Sequence, residues 1–315
     1  MGYRLVTVQP RHPERSSTQS KLREGSRFSR FFGLRPQNDD TWVAERLHRH
    51  RLIMRTVVFF LFLFFFAKNA LASPQPTLLD DETQKQILTV LNQNAESLKT
   101  LKASLEIGIP HPTEPLVHWC HGLIAFQKEP DFLYLKGYHS LVPLYFLLKS
   151  FEHKFWLYLP RQYTVYWGEN AVLEQNPDID LRLIAGDIFK AIAPPKINPA
   201  EQIEWQAIET GYRLTLTEAD TNRKQEIELD QALNIRKITH YNAAIFRALE
   251  ITKNDWRLVG QIRLPYEIII KRFVPRPNHL IMRFKEIRPN ETLGAAILDH
   301  QFPSDVTYVE LTERM

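Results

Sequence analysis

His111, His118, Cys120, His121 and His139 crowd into one stretch of the chain. Imidazole and thiolate are zinc ligands, so the run His118-x-Cys120-His121 invites a metal reading. The same stretch reads as a strand, however, and successive strand residues point to opposite faces. His118 and Cys120 would share one face and His121 the other. The cluster is thereby broken, and exposed histidines beside a small, half-apolar cysteine are the expectation. Nucleophilic chemistry fares no better. Ser, His and Asp all occur, but no Gly-x-Ser-x-Gly elbow surrounds any serine. No Gly-x-Gly-x-x-Gly or phosphate loop is present, and only 11 glycines are available to build one. No catalytic residue, no metal and no cofactor are expected.

The most informative segment is Met54 to Ser73, MRTVVFFLFLFFFAKNALAS. Arg55 supplies a short positive region, Thr56 to Ala67 a dense apolar one, and Ala70-Leu71-Ala72 a small-x-small site before Ser73. This is the order of parts in a secretory signal peptide. The expectation is that Met54 initiates the chain, that 1–53 is a mis-called or disordered extension, and that 54–72 is removed between Ala72 and Ser73. A retained anchor is the alternative, although the apolar core from Val57 to Ala67 falls short of the roughly 20 residues a span requires. The extension is rich in Arg, His, Ser and Pro, with little apolar periodicity.

Removing the leader reverses the charge. Of 40 basic and 36 acidic residues, 1–53 carries 11 and 5 and 54–72 two basic ones, which leaves 27 against 31, net −4. A mildly acidic body argues against a nucleic-acid partner. Cys120 is the only cysteine, so no intrachain disulfide can form. Ser73 stands where a lipid-modified cysteine would be needed, so the chain is not read as a lipoprotein.

The remaining 73–315 must supply an ordinary core. Ile87, Leu88, Leu91, Ala95 and Leu98 recur at helical spacing behind the acids Asp80 to Glu82. Period-two alternation then takes over. Strands are expected over 102–109, 118–127, 132–137, 154–159 and 163–167, with turns at Lys128–Asp131 and Pro160–Gln162. His139 to Phe151 is apolar and of no assignable type. A second amphipathic helix is expected over 179–192 and stops at Pro194-Pro195. Strands resume over 203–208, 212–217, 224–229, 235–241, 248–252, 258–264, 266–273 and 279–287, with turns at Asn222-Arg223 and Lys253–Asp255. Many short strands with polar turns indicate a meandering antiparallel sheet. Two helices cannot cover both faces of such a sheet. A long curved sheet wrapped around a helical plug satisfies the pattern, and its concavity would be apolar.

Several segments together resemble a known family. Asn94-Ala95-Glu96-Ser97-Leu98-Lys99-Thr100-Leu101-Lys102-Ala103 leads from helix to strand. Gly122-Leu123-Ile124-Ala125-Phe126 through Pro130-Asp131-Phe132-Leu133-Tyr134-Leu135 forms a hairpin, and Trp156-Leu157-Tyr158-Leu159-Pro160 with Tyr166-Trp167-Gly168 forms the next. Leu264-Pro265-Tyr266-Glu267-Ile268-Ile269-Ile270 is a late strand, and Asn290 and Phe302-Pro303 mark the C-terminal segment. In order, these resemble the LolA/LolB-like periplasmic lipoprotein carriers over nearly all of the mature body. The resemblance implies a mainly β (α+β) fold: a curved antiparallel sheet forming an incomplete β-barrel, with helices packed as a lid over an apolar cavity. It implies a non-catalytic, monomeric periplasmic protein of a Gram-negative-type envelope. Its ligand would be the acyl chain of a lipid or acylated protein, and its partners would be other envelope or outer-membrane proteins. The chain departs from the LolB-type receptors in lacking the lipid-modified cysteine, and no residue aligns with the carriers' lid arginine. In a bacterial exported protein the sequon-like Asn290-Glu291-Thr292 is not expected to be modified.

Aromatic residues supply the candidate cavity walls. Alternation puts Phe155, Leu157 and Leu159 on one face and Trp156 and Tyr158 on the other, so this strand is buried twice or lines a cavity. The expected walls are Phe126, Tyr134, Phe155, Leu157 and Trp167 on strands, with Leu181, Ile184, Ile188 and Phe189 on the lid helix. A sensor or assembly protein using the fold as a protein-interaction module is the competing reading. It differs in predicting a filled core and an exposed apolar patch.

Overall fold

Asp80 starts the first described helix. Its carboxylate accepts from the Thr83 backbone N–H at 2.9 Å and from the Thr83 hydroxyl at 2.8 Å, which satisfies a donor that the helix start leaves open. Helix α1 (Asp81–Ser97) then buries Ile87, Leu91 and Ala95 along one stripe. The computed structural model describes residues 79–111, 116–175, 184–198, 202–218, 221, 223–275 and 277–312. The expected extension 1–53, the expected export signal 54–72 with its junction Ala72–Ser73, Asn222 and Leu181 lie outside the described residues. Among the described residues no helix is long and apolar enough to cross a membrane.

After α1 come β1 (Thr100–Pro110), β2 (Val117–Gln127), β3 (Phe132–His139), β4 (Val142–Phe151), β5 (Lys154–Leu159) and β6 (Thr164–Glu169). Two helices follow, α2 (Asn170–Gln175) and α3 (Ala185–Ile192). Then come β7 (Gln202–Ile208), β8 (Gly211–Thr217), β9 (Lys224–Asp230), β10 (Ile235–Tyr241), β11 (Arg247–Val259), β12 (Ile262–Arg272) and β13 (Asn278–Pro289). A short α4 (Ala295–Leu298) and β14 (Thr307–Leu311) close the chain.

The strands form one sheet in the order β14-β6-β5-β4-β3-β2-β1-β13-β12-β11-β10-β9-β8-β7. Each half is a meander of antiparallel neighbours, β1 to β6 and β7 to β13. The halves are joined where β1 pairs with β13, from Leu101 opposite Pro289 to Gly108 opposite Ile281. β14 adds parallel to β6. The two outermost strands, β14 and β7, are not paired to each other, so the sheet is open. Phe155 of β5 and Leu216 of β8, far apart in strand order, nevertheless belong to one buried cluster with α1 and α3. The sheet must therefore curve around that inner cluster. The fold is the expected mainly β incomplete barrel.

Three local expectations need correction. The stretch 139–151 is a strand, β4, entered by a turn at Ser140-Leu141. Lys253–Asp255 is not a turn. β11 runs through it, because Asn254 donates across to Glu267 at 3.0 Å and Gly260, at φ 64°, supplies the reversal instead. Of the strands expected at 258–264 and 266–273, Leu258 and Val259 end β11, and from Ile262 on they form one strand, β12, after this turn.

Candidate functional site

The inner face is a continuous apolar surface. β1 contributes Leu101, Leu105 and Ile107, β2 contributes Ile124 and Phe126, and β5 contributes Phe155 and Leu157. The other half of the sheet adds residues such as Ile238, Ile251, Ile270 and Met282. Helix α3 lies on this surface with Ile184, Ile188 and Ile192 buried in the cluster. The half-buried Phe189 packs its ring on Phe126, with centroids 4.9 Å apart. Of the residues predicted to form one wall, Phe126, Phe155, Leu157, Ile184 and Ile188 are brought together, and Phe189 packs against them.

Two predicted wall residues are not with them. Tyr134 belongs to a second cluster on the opposite face, with Phe132, Leu147, Tyr158, Val165 and Leu293. Its ring meets that of His300 at 5.6 Å. Trp167 stands directly opposite Trp156, which packs on the same second cluster, and two residues from Val165. Alternation therefore puts Trp167 on that outer face as well. The cause is the C-terminal segment. Leu298, Phe302 and Val306 cover the outer face of the β2–β6 half, so both faces of these strands are apolar and alternation alone cannot tell inner from outer.

Polar groups that the sequence reading passed over hold the inner helix. Arg272 of β12 donates through Nε to Asp187 Oδ2 of α3 at 2.6 Å and through Nη2 to Asp187 Oδ1. Both side chains are buried, and Arg272 also donates to the Val274 carbonyl at 3.2 Å. Asn92 of α1 makes a second tie. It donates to the Ile197 carbonyl at 3.0 Å and accepts from the Ile197 N–H at 2.9 Å, which binds α1 to the segment leaving α3. A cavity of about 10 Å³ lies between α3 and β12, beside the Asp187–Arg272 pair. Another of about 30 Å³ lies where α1, the end of α3 and the β9–β12 turns meet, and Lys253 lines it. With alternation as the guide, Lys253 could have been found as the third member of the inward row Leu249-Ile251-Lys253. Its turn-like neighbours Asn254 and Asp255 masked it.

A cleft of about 510 Å³ opens on the outer face between β3–β5 and the C-terminal segment. Phe132, Phe151, Trp156 and Phe302 line it, with Lys149 and His300. Lys149 donates to the Leu298 carbonyl at 2.7 Å, and its partial burial lowers its affinity for a proton. Burial, followed by the nearby charges of Lys149 and Lys136, likewise holds His300 below the usual histidine range.

The histidine–cysteine run gives no metal geometry. Among the described residues no group of three or more His, Cys, Asp or Glu side chains could hold an ion. Burial pushes the Cys120 thiol up to about 11, so it is a neutral group at physiological pH.

No protein-family model matches the chain, and no curated protein is matched by sequence. Solved structures are matched. A LolA superfamily protein from Nitrosomonas europaea is similar over 67% of this chain and 96% of its own, at 10% identity and a TM-score of 0.46. An outer membrane lipoprotein-sorting protein domain from Vibrio parahaemolyticus, described as putative, covers 66% of this chain and 93% of its own, at 13% identity and 0.48. A DUF1329 family protein from Desulfovibrio piger covers 70% and 97%, at 14% identity and 0.49.

Proposed function

We propose that the protein is a non-catalytic carrier of the periplasm that takes the acyl chain of a lipid or acylated protein against the inner face of its sheet, with α3 as the part that moves aside. The observation that supports this is the way the inner surface is covered. The apolar face of an open sheet is covered in part by a helix of eight residues, held to β12 by the Asp187–Arg272 ion pair and followed by a non-strand segment, 193–198. Its apolar residues Ile184, Ile188 and Ile192 occupy ground that hydrocarbon could take in exchange. Each buried methylene contributes about 0.8 kcal/mol, so a few acyl carbons suffice for reversible binding. On this reading 54–72 directs export, cleavage falls between Ala72 and Ser73, and delivery partners belong to the envelope.

Native mass spectrometry of the protein purified without detergent tests the reading. The expected result is a mass increment that disappears on denaturation and is identified as an acylated species. A clean unliganded mass, with no uptake of added lipids or lipopeptides, would sink it. The second reading, a protein-interaction module, draws on a different observation. Beneath the helices the described cavities are only about 10 and 30 Å³, whereas the outer aromatic cleft is open at about 510 Å³. That reading gains from the unliganded outcome.

A further inference from the structure

Lys253 is 2% exposed. Along β11 it follows Leu249 and Ile251, both in the inner cluster, so its side chain enters the same interior. Burial is the sole influence on its proton affinity, and no acceptor or carboxylate among the described residues pairs with its ammonium. The next residue with the same problem is three positions on. Asp255, at φ 52°, interrupts the alternation of β11, and Trp256 packs on the inner cluster. The Trp256 indole Nε1 is buried there without a hydrogen-bond partner.

Both residues line the cavity of about 30 Å³, together with Arg263. One Arg263 nitrogen donates to the Asn234 side-chain oxygen at 3.1 Å. The lining contains no aspartate or glutamate. The remainder is largely apolar, with Ile192, Ile235, Ile262 and Leu264. The site therefore holds two donors without acceptors, Lys253 and Trp256, beside the exposed guanidinium of Arg263, and its lining offers no anion. Buried donors almost always find acceptors, and a buried ammonium without a counter-charge costs several kcal/mol. The missing partner is an anion, and its size is limited. A water needs about 10–15 Å³ of such space, so the cavity suits a group of two oxygens and is too small for a phosphodiester headgroup.

We infer that Lys253, Trp256 and Arg263 form the polar end of the ligand site and hold the carboxylate of a long-chain fatty acid. The hydrocarbon chain continues from there over Ile192, Ile235 and Leu264 towards the inner cluster. This rests on the acyl-binding reading and specifies its ligand: a free acid rather than an ester.

The test compares hexadecanoate, methyl hexadecanoate and hexadecanol as ligands of the intact protein and of two variants, Lys253→Met and Trp256→Phe. Methionine keeps most of the lysine volume and removes a buried charge, so the fold is retained. Charge-assisted bonds favour the acid, and the wild type is expected to bind hexadecanoate about tenfold or more tighter than the ester or the alcohol. Lys253→Met cuts that preference severalfold, with Arg263 as the remaining charge, and weakens hexadecanol far less. Trp256→Phe, which deletes one donor, weakens the acid severalfold and the alcohol less. Equal affinities for the three ligands in the wild type, or an acid preference that Lys253→Met leaves undiminished, overturn the inference while leaving an acyl carrier standing. Binding of none of the three overturns the inference and the carrier reading together.

Discussion

Arg272 of β12 grips both carboxylate oxygens of Asp187 in α3, and both side chains are buried. This pair is a buried polar attachment between the sheet and the helix that covers it. Paired charges in a core add little net stability, but each becomes expensive when its partner is lost.

Arg272→Met is therefore expected to destabilise the protein by about 3–5 kcal/mol, since buried Asp187 would lose the two charge-assisted bonds it accepts from Arg272. The double variant Arg272→Met with Asp187→Leu should recover most of that loss. Urea unfolding of the single and double variants measures both. Additive losses would show that the two residues are not coupled.

Lys253 makes stability depend on pH in a defined direction. Burial pulls its ammonium down to about 8 from the 10.5 of an exposed lysine. The polar groups facing it are Asn94 of α1, Asn234, Trp256 and Arg263, of which only Arg263 is charged, and guanidinium does not titrate in this range. Between about pH 8 and 10.5 the unfolded chain holds the proton that the folded chain has lost, so this group's contribution rises with pH. Lys253→Met should accordingly be more stable than the wild type by on the order of 3 kcal/mol near neutral pH, and this advantage should shrink towards zero by pH 10.5. Unfolding curves for both proteins across that range decide it; a difference that stays constant contradicts the assignment.

Helix α3 should open before the sheet does. Native-state hydrogen exchange is expected to give Ile188, Phe189 and Ile192 opening free energies well below those of Ile107 and Met282 in the central β1/β13 pair. Phe189→Ala removes the ring contact with Phe126, costs about 1 kcal/mol, and speeds exchange in α3 selectively. Uniform protection across helix and sheet would mean that α3 is an integral part of the core.

Asn290 should matter as a structural residue. Its side-chain oxygen accepts from the Lys99 N–H at 2.8 Å and its amide donates to the Ser97 carbonyl at 2.7 Å, while its backbone sits at φ 58°. The amide nitrogen of the sequon-like pattern is thus engaged at the end of α1. Asn290→Ala loses these bonds and places a less tolerant residue in a left-handed conformation, for an expected loss of about 2 kcal/mol in thermal or urea unfolding. Asn290→Gly should lose less, because only the bonds are missing.

The export reading has its own measurement. N-terminal sequencing of the protein recovered from cells is expected to begin at Ser73. A chain that begins at Met54 or earlier would show a retained segment instead.

The sequence by itself determined α1, the end of α3 and most of the strands with their turns, while β4, β14 and the short helices α2 and α4 were not legible in it. Pro130 and Pro160 mark hairpin turns, Asp80 marks the start of α1, and alternation such as Phe155-Trp156-Leu157-Tyr158 marks strands buried on both sides. These are local effects of backbone geometry and side-chain period, so neighbouring residues suffice to show them. Only the tertiary structure decided which face is which. Tyr134 and Phe126 look alike as buried aromatics, but the C-terminal segment that covers Tyr134 is more than 150 residues further along the chain. The pairing of β1 with β13 is equally distant and joins two meanders that carry no local sign of meeting. Lys253 shows the same limit most plainly. Its neighbours favour a turn, and only strand pairing with Ile268, together with the irregularity at Asp255, turns Lys253 and Trp256 into unpartnered donors in one cavity.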